Sequence, residues 1–430
     1  MASVFQASTL CNGGLAVSVI VLVPLLVILV LLVMRKHMIV AGLCGAVVAM
    51  LIGNVGLSAG TKIVNDALPG MLTMLVPIMY SATALAIAKT GGFEALLGLC
   101  KRAVGEKLYL VAAAVVLIQA LATYAAGLGA GNTMAIGPLA FAVAGAIPQV
   151  VAGMAIVTAA SFETSPASAE TATVTKIAGI DVNTYVDTMF PFTLFFWLIG
   201  TTLAAYGVKK HGSLLTKDAI RDNTDDMPME KLVRNAVAPI YFIMVVVGGK
   251  YLNAGLGYAM FTPVFNMISA LIIAVVMTRE PMDKMAENLI QGSAFILTRL
   301  FAIGVFLGFI NVLSQIGTFK YIAQLTASAP SYIFVPLAIV AGFVVAVPAG
   351  AYSVGVISLI LPLLAEVGLT PLHMGFVALA IGMGTQMSPV QINVAALSQT
   401  FEMDITQVIR NNAPYLIVIL GVICAMGVIF

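Results

Sequence analysis

The chain has 430 residues, of which 61% are hydrophobic and only 9% charged, with a formal net charge of +2. Soluble domains carry about 25% charged residues, so the composition excludes a water-exposed globule, and the near-neutral charge leaves no electrostatic footprint for nucleic acid. The four cysteines (Cys11, Cys44, Cys100, Cys424) form no CxxC pair and the three histidines (His37, His211, His373) are scattered, which argues against a disulfide framework or a resident metal.

The first element is "GGLAVSVIVLVPLLVILVLLVM", a run of 22 residues without a charge. About 20 apolar residues cross a bilayer core. No basic residue precedes the run and its apolar core exceeds the roughly 7 to 15 residues of a signal peptide, so it reads as a retained span near 14–34. Further spans follow near 38–57 and 69–88. Apolar chain at 107–147 then carries a Gly-rich break, "GLGAGNT", and reads as a re-entrant hairpin; a plain pair of full spans is the alternative. Spans near 149–179 and 184–207 complete the half. A solvated linker, "KKHGSLLTKDAIRDNTDDMPMEKLVR" at 209–234, separates it from spans near 235–251, 257–278 and 292–314, a hairpin at 331–367 broken at "VPAGAYS", and spans near 372–402 and 411–430. The fold class expected is an all-α polytopic membrane protein of about ten transmembrane helices plus two re-entrant hairpins.

Basic residues orient this layout. With both termini on the periplasmic or extracellular side of a bacterial inner membrane, fifteen Lys and Arg residues, among them Arg35, Lys36, Lys209, Lys210 and Arg410, fall inside. Only Lys62, Lys176, Lys250 and Lys320 fall outside. Arg299 is the one basic residue within a span; meeting a substrate carboxylate, pairing with a glutamate and snorkelling to an interface are equally weighted readings.

Adding 223 to a residue number in the first half reaches the same residue type in the second at Asn65/Asn288, Gly127/Gly350, Gly145/Gly368, Pro148/Pro371, Ser165/Ser388, Pro166/Pro389, Asp181/Asp404 and Pro191/Pro414. Scarce residue types recurring at one offset indicate an internal duplication: 1–208 and 235–430. Five crossings per half is an odd number, so the halves are inverted with respect to each other, as in many secondary transporters. The stretch "SFETSPASAETATV" thereby gains a partner in "GTQMSPVQINVA". Proline lacks a helix donor and biases the preceding residue away from helix, so each span is expected to unwind at its Ser-Pro. The helix ends so created can ligate an anion and a cation. Two surface loops are the bland alternative, but Glu163 and Glu170 near mid-span mark an ion or substrate pathway. Asp181 and Asp404 are expected to cap the helices that follow them, and Asn65 and Asn288 could be caps as well. No GxxxxGK phosphate loop and no catalytic set appears, so the chain is not expected to be an enzyme.

Three spans, a Gly-rich hairpin, a span broken at Ser-Pro and a final span, duplicated in inverted form, resemble the ion transporter superfamily. Within it, "SPASAETATV" and "GTQMSPVQINVAALSQTFEMDITQVIRNNAP" are most similar to the anaerobic C4-dicarboxylate uptake (DcuC-type) carriers, and more distantly to the divalent anion/sodium symporters. The resemblance implies a homodimer working by an elevator motion, with transport-domain parts at roughly 107–179 and 331–402. It places substrate and cation around Gly129, Gly131, Asn132, Thr133, Ser165, Pro166 and Ser168 in one half and Gly350, Ser353, Thr385, Ser388, Pro389 and Asn393 in the other. Glu163, Thr164, Glu170, Gln386 and Gln391 beside the breaks join this set. A Na⁺ site is expected near Asn132, Ser165, Ser353 and Ser388, with Na⁺ or H⁺ as coupling ion and no other cofactor. The expected function is ion-coupled transport of a small organic anion, a C4-dicarboxylate as first choice. The alternatives are another carboxylate or amino acid, a Na⁺/H⁺ antiporter, or, in a different class, a channel or a non-transporting scaffold.

Overall fold

The computed structural model describes residues 19–36, 38–72, 75–104, 107–212 and 227–430, and every regular element among them is a helix. In chain order these are α1 (Val23–Val33), α2 (Met38–Gly53), α3 (Leu57–Leu72), α4 (Leu75–Lys89), α5 (Gly92–Val104), α6 (Leu108–Ala126), α7 (Gly129–Ala144), α8 (Pro148–Thr164), α9 (Ala169–Ala178) and α10 (Val182–His211). The order then recurs with α11 (Met229–Leu256), α12 (Pro263–Thr278), α13 (Met282–Gln315), α14 (Thr318–Ala327), α15 (Ser331–Ala349), α16 (Ser353–Ala365), α17 (Pro371–Thr385), α18 (Ile392–Thr400) and α19 (Ile405–Ile429). In hydrocarbon a helix satisfies its backbone donors and acceptors within the segment. Proline opens α8, α12 and α17, where the missing N–H has no intrahelical partner to lose.

Among the described residues four helices are individually long and apolar enough to cross a membrane: α6, α10, α15 and α19. Two bent pairs raise the number to six, α8 with α9 at 48° and the second part of α13 with α14 at 60°. Shorter apolar helices include α1, α2, α12, α16 and α17. On α12, Val264, Ile268, Ile272 and Val276 are exposed at four-residue intervals, an apolar stripe suited to lipid. The protein is a polytopic α-helical membrane protein.

Helix boundaries follow the offset seen in the sequence. The starts of α6, α8, α9 and α10 at 108, 148, 169 and 182 map by 223 onto those of α15, α17, α18 and α19 at 331, 371, 392 and 405. The centre is built from α8 and α17, whose residues are buried almost throughout. Small residues bring the backbones together. A Cβ at Gly153 of α8 would lie 2.6 Å from the Gly200 carbonyl of α10, and one at Gly384 of α17 would lie 2.4 Å from the Phe343 carbonyl of α15.

Several expectations need correction. Asn65 and Asn288 are not helix starts: α3 begins at Leu57 and α13 at Met282, because each helix runs several residues beyond its strongly apolar part. The 209–234 segment is not all linker, since α10 continues to His211 and α11 begins at Met229; the rest of it, residues 213–226, lies outside the described residues. The hairpin arms are unequal, because α6 and α15 each have 19 residues, about 28 Å of helix, against 16 in α7 and 13 in α16. Helices α5 and α14 form an additional repeated element between the third span and the hairpin, too short and polar to stand out as an apolar run. Asp181 caps α10 through the Asn183 and Thr184 amides, but Asp404 makes no such bond and instead pairs with Arg35 at 3.5 Å. The start of the first span, Cys11, His37 and the side chains of Asn65, Cys100 and Arg299 lie outside what is described.

Candidate functional site

Each half brings its hairpin tip onto a helix break. In the first, Gly127 ends α6 with φ +67°, a left-handed conformation that favours glycine, and a Cβ there would lie 2.5 Å from the Ala167 carbonyl. Ser165 fastens the break to the same tip: its hydroxyl donates to the Tyr124 carbonyl and accepts from the Ala167 amide. Ser168 caps α9 by accepting from the Thr171 amide at 3.1 Å. In the second half the chain leaves the helix over 386–391, around Ser388-Pro389. A Cβ at Gly350 would lie 2.9 Å from Thr385 Cγ2. Thr385 accepts from Gln391 Nε2 at 3.0 Å, and Gln391 Oε1 accepts from the Asn393 amide, capping α18. Both spans thus unwind at Ser-Pro.

The halves also engage each other. Thr133 on α7, from the first hairpin, donates to Asn393 Oδ1 on α18 at 2.6 Å, and Ser353, opening α16 of the second hairpin, donates to Glu170 Oε1 on α9 at 2.7 Å. All four side chains are buried. Glu170 plus 223 is Asn393, so these are equivalent positions, each bonded to the hairpin of the opposite half. Glu163 plus 223 is Gln386, and Gln386 Oε1 accepts from Asn393 Nδ2 at 2.7 Å. The first half therefore carries two carboxyl groups where the second carries two amides.

Glu163 is fully buried and packs on α17, where a Cβ at Gly382 would lie 2.5 Å from its Cγ. Both of its carboxyl oxygens lack a hydrogen-bond partner in the protein, as do Glu170 Oε2, Tyr352 Oη and Ser388 Oγ. Leaving a buried carboxylate unpaired costs several kcal/mol, so the first half calls for a cation or a proton. A small cavity lies between the two hairpin tips, lined by Leu128, Gly129, Glu170, Tyr352, Gln391 and Asn393. Helices α7 and α16 begin at its rim with no side-chain cap, although the Gly355 amide of α16 donates to the Tyr352 carbonyl.

The expected site residues do not all contribute alike. Gly129, Thr133, Glu163, Glu170, Ser353, Gln386, Gln391 and Asn393 converge between the tips, and Gly350 and Thr385 pack directly behind them. Gly131 is buried in α7. Asn132 ties the hairpin arms by donating to the Ala122 and Leu128 carbonyls. Thr164 accepts from Thr193 of α10 at 2.7 Å, away from the cavity. Pro166 is exposed and Pro389 half-buried. The residues expected to hold Na⁺ are spread among different jobs: Ser165 is bonded to backbone, Asn132 braces the hairpin, Ser353 binds Glu170 and Ser388 has a free hydroxyl oxygen.

Some members of the site were not anticipated. Gln119 Nε2 donates to Thr133 at 2.8 Å and Thr158 at 3.0 Å, setting the Thr133 hydroxyl. Its signal was an isolated amide in an otherwise apolar arm. Tyr352 and Gly382 gave no comparable signal, since an aromatic and a glycine are ordinary in spans.

No protein-family model matches this chain, and no curated protein sequence matches it. Among solved structures, the crystal structure of the Alcanivorax borkumensis YdaH transporter, described as having an unusual topology, is 14% identical over 87% of this chain and 89% of its own, with a TM-score of 0.48.

Proposed function

We propose that the protein is a secondary active transporter that moves a small organic anion across the membrane together with Na⁺ or H⁺, C4-dicarboxylates being the first choice of substrate. The observation that carries this is the crossed pairing of Glu170 with Ser353 and Asn393 with Thr133, which makes one buried site from both halves of a duplicated chain. A channel has no need of a site closed on itself in this way. The carboxyl half supplies Glu163 and Glu170 for the cation or proton. The amide half and the uncapped starts of α7 and α16 supply donors for substrate carboxylates, which have hydrogen bonds to accept and none to give. Bound together, cation and anion neutralise each other in a place where either alone is costly. Hairpins and broken spans move as one body in this proposal, an elevator within a homodimer.

A second reading, cation exchange without an organic substrate, is favoured by the unpartnered oxygens of Glu163. Counterflow in proteoliposomes separates the two. Vesicles loaded with unlabelled succinate should accumulate external labelled succinate transiently. A pH change driven by Na⁺ with no succinate counterflow would replace the carrier reading by the antiporter, and passive equilibration without counterflow would replace it by a channel.

A further inference from the structure

A second and much larger hollow lies beside the buried cavity. It is a crevice of about 440 Å³, and its mouth is formed by Arg35 and Lys36 after α1 together with Asp404 and Thr406 at the start of α19. Its depth is formed by Pro389, Val390 and Ile392 at the second break. Ile392 lines both hollows and is 4% exposed, so it belongs to the wall between the crevice and the cavity at Glu170 and Asn393.

The mouth is electropositive and loosely held. Arg35 reaches Asp404 at 3.5 Å and Thr406 at 3.0 Å, with the Arg35 and Asp404 side chains 66% and 72% exposed. Exposed ion pairs contribute little, so an arriving carboxylate can displace Asp404 from Arg35. Two cationic groups against one carboxylate leave the mouth with an excess positive charge. The backbone around Arg35 points the same way. The Arg35 amide donates to the Leu32 carbonyl and the Lys36 amide to the Leu31 carbonyl, the helix-ending pattern in which glycine usually takes the left-handed position. Arg35 takes it here at φ +59°, a conformation costly to a residue with a side chain. An ordinary helix end would be better served by glycine.

We infer that this crevice is the route by which an anion reaches the buried site, with Arg35 and Lys36 as its attracting mouth and Ile392 as its inner barrier. The inference rests on the carrier reading, and its test uses no transport substrate, so the two can fail separately. Ala395 and Ser398 line the crevice and are half-buried, whereas Ala130 lines the cavity and is fully buried. In full-length protein with its native cysteines replaced by serine, Ala395→Cys and Ser398→Cys would be modified in vesicles by two membrane-impermeant thiol reagents, an anionic sulfonate and a cationic ammonium. The sulfonate is expected to be favoured, from the Arg35 side of the membrane only, and Arg35→Gln with Lys36→Gln should cut that preference by about tenfold. Arg35→Gly should lower it as well while leaving thermal stability equal or higher, which a merely structural Arg35 would not do. Modification of Ala130→Cys from the same side should quicken by about tenfold when Ile392 is replaced by Ala, equivalent to a barrier lowered by about 1.4 kcal/mol. Continued labelling of Ala395→Cys in that background reports that the variant is folded, and Ile392→Val offers a milder opening. Labelling of Ala395→Cys by a lipophilic maleimide alone would overturn the route in favour of a lipid-filled groove. A sulfonate preference indifferent to Arg35 and Lys36 would overturn the role of the mouth, and an Ala130→Cys rate unmoved by Ile392→Ala that of the barrier.

Discussion

Glu163 lies against the bare backbone of Gly382, so close that a Cβ added to the glycine would stand 2.5 Å from Glu163 Cγ and 2.8 Å from Oε1. Each of the two central helices contributes one of these residues, and both residues are buried. Gly382→Ala must therefore push a carboxyl group aside within a closely packed interior. Overpacking of this kind costs about 1 to 3 kcal/mol, and a matching drop in the thermal midpoint is expected together with loss of counterflow. An unchanged midpoint would mean that Glu163 has room to move.

Glu170→Gln is expected to abolish gradient-driven uptake while leaving some exchange, and to make that exchange indifferent to pH and Na⁺. The amide keeps the shape and the bond to Ser353 but carries no charge to neutralise. Uptake measured against imposed Na⁺ and pH gradients decides the matter, and dependence identical to that of the parent protein would remove Glu170 from coupling. Glu163→Gln should act in the same direction.

Thr133→Val and Ser353→Ala each delete the donor of a buried bond between the halves. Leaving a buried acceptor unsatisfied costs about 1 to 3 kcal/mol, so each variant should unfold at a lower temperature. Exposed hydroxyls elsewhere, such as Ser58, serve as controls with no expected effect. Stabilities within error of the parent would show that the crossed bonds do not hold the site.

Asp181 offers a pH prediction well outside the buried site. The Thr184 hydroxyl, the Thr184 amide and the Asn183 amide all donate to its carboxylate and hold it below its ordinary value of 3.8. A carboxyl lowered by folding stabilises the folded state fully above its unfolded value, and that contribution fades as the pH falls through the folded value. Asp181→Ala should lower stability at neutral pH and flatten the fall below about pH 4.

Much of the helical order could be read from the residues because Pro and Gly punctuate it and recur at a constant spacing. Pro148 and Pro371 open α8 and α17, and Ser165 and Ser388 lie in the breaks of the two central spans. Boundaries that depended on hydropathy alone were less secure. Asn65 and Asn288 look like helix starts only because the strongly apolar part begins there, whereas hydrogen bonding carries each helix further toward its N-terminus. Which hairpin meets which half-helix was not legible at all. Thr133 and Asn393 are 260 residues apart, and neither periodicity nor spacing says whether a hairpin pairs with its own half or the other. The opposition of two carboxyls to two amides was present in the letters, but its meaning depended on knowing that these positions share one site.

The crossed bonds also tie the site to the whole chain. Glu170 needs a serine from the other half and Asn393 needs a threonine from the other half, so neither half contains a complete set of partners. The two bonds are not copies of each other, because Thr133 plus 223 is Val356 and Ser353 minus 223 is Ala130. Each hydroxyl sits at a position where the other repeat has an aliphatic side chain, so the partnership belongs to the joined chain and to neither repeat alone.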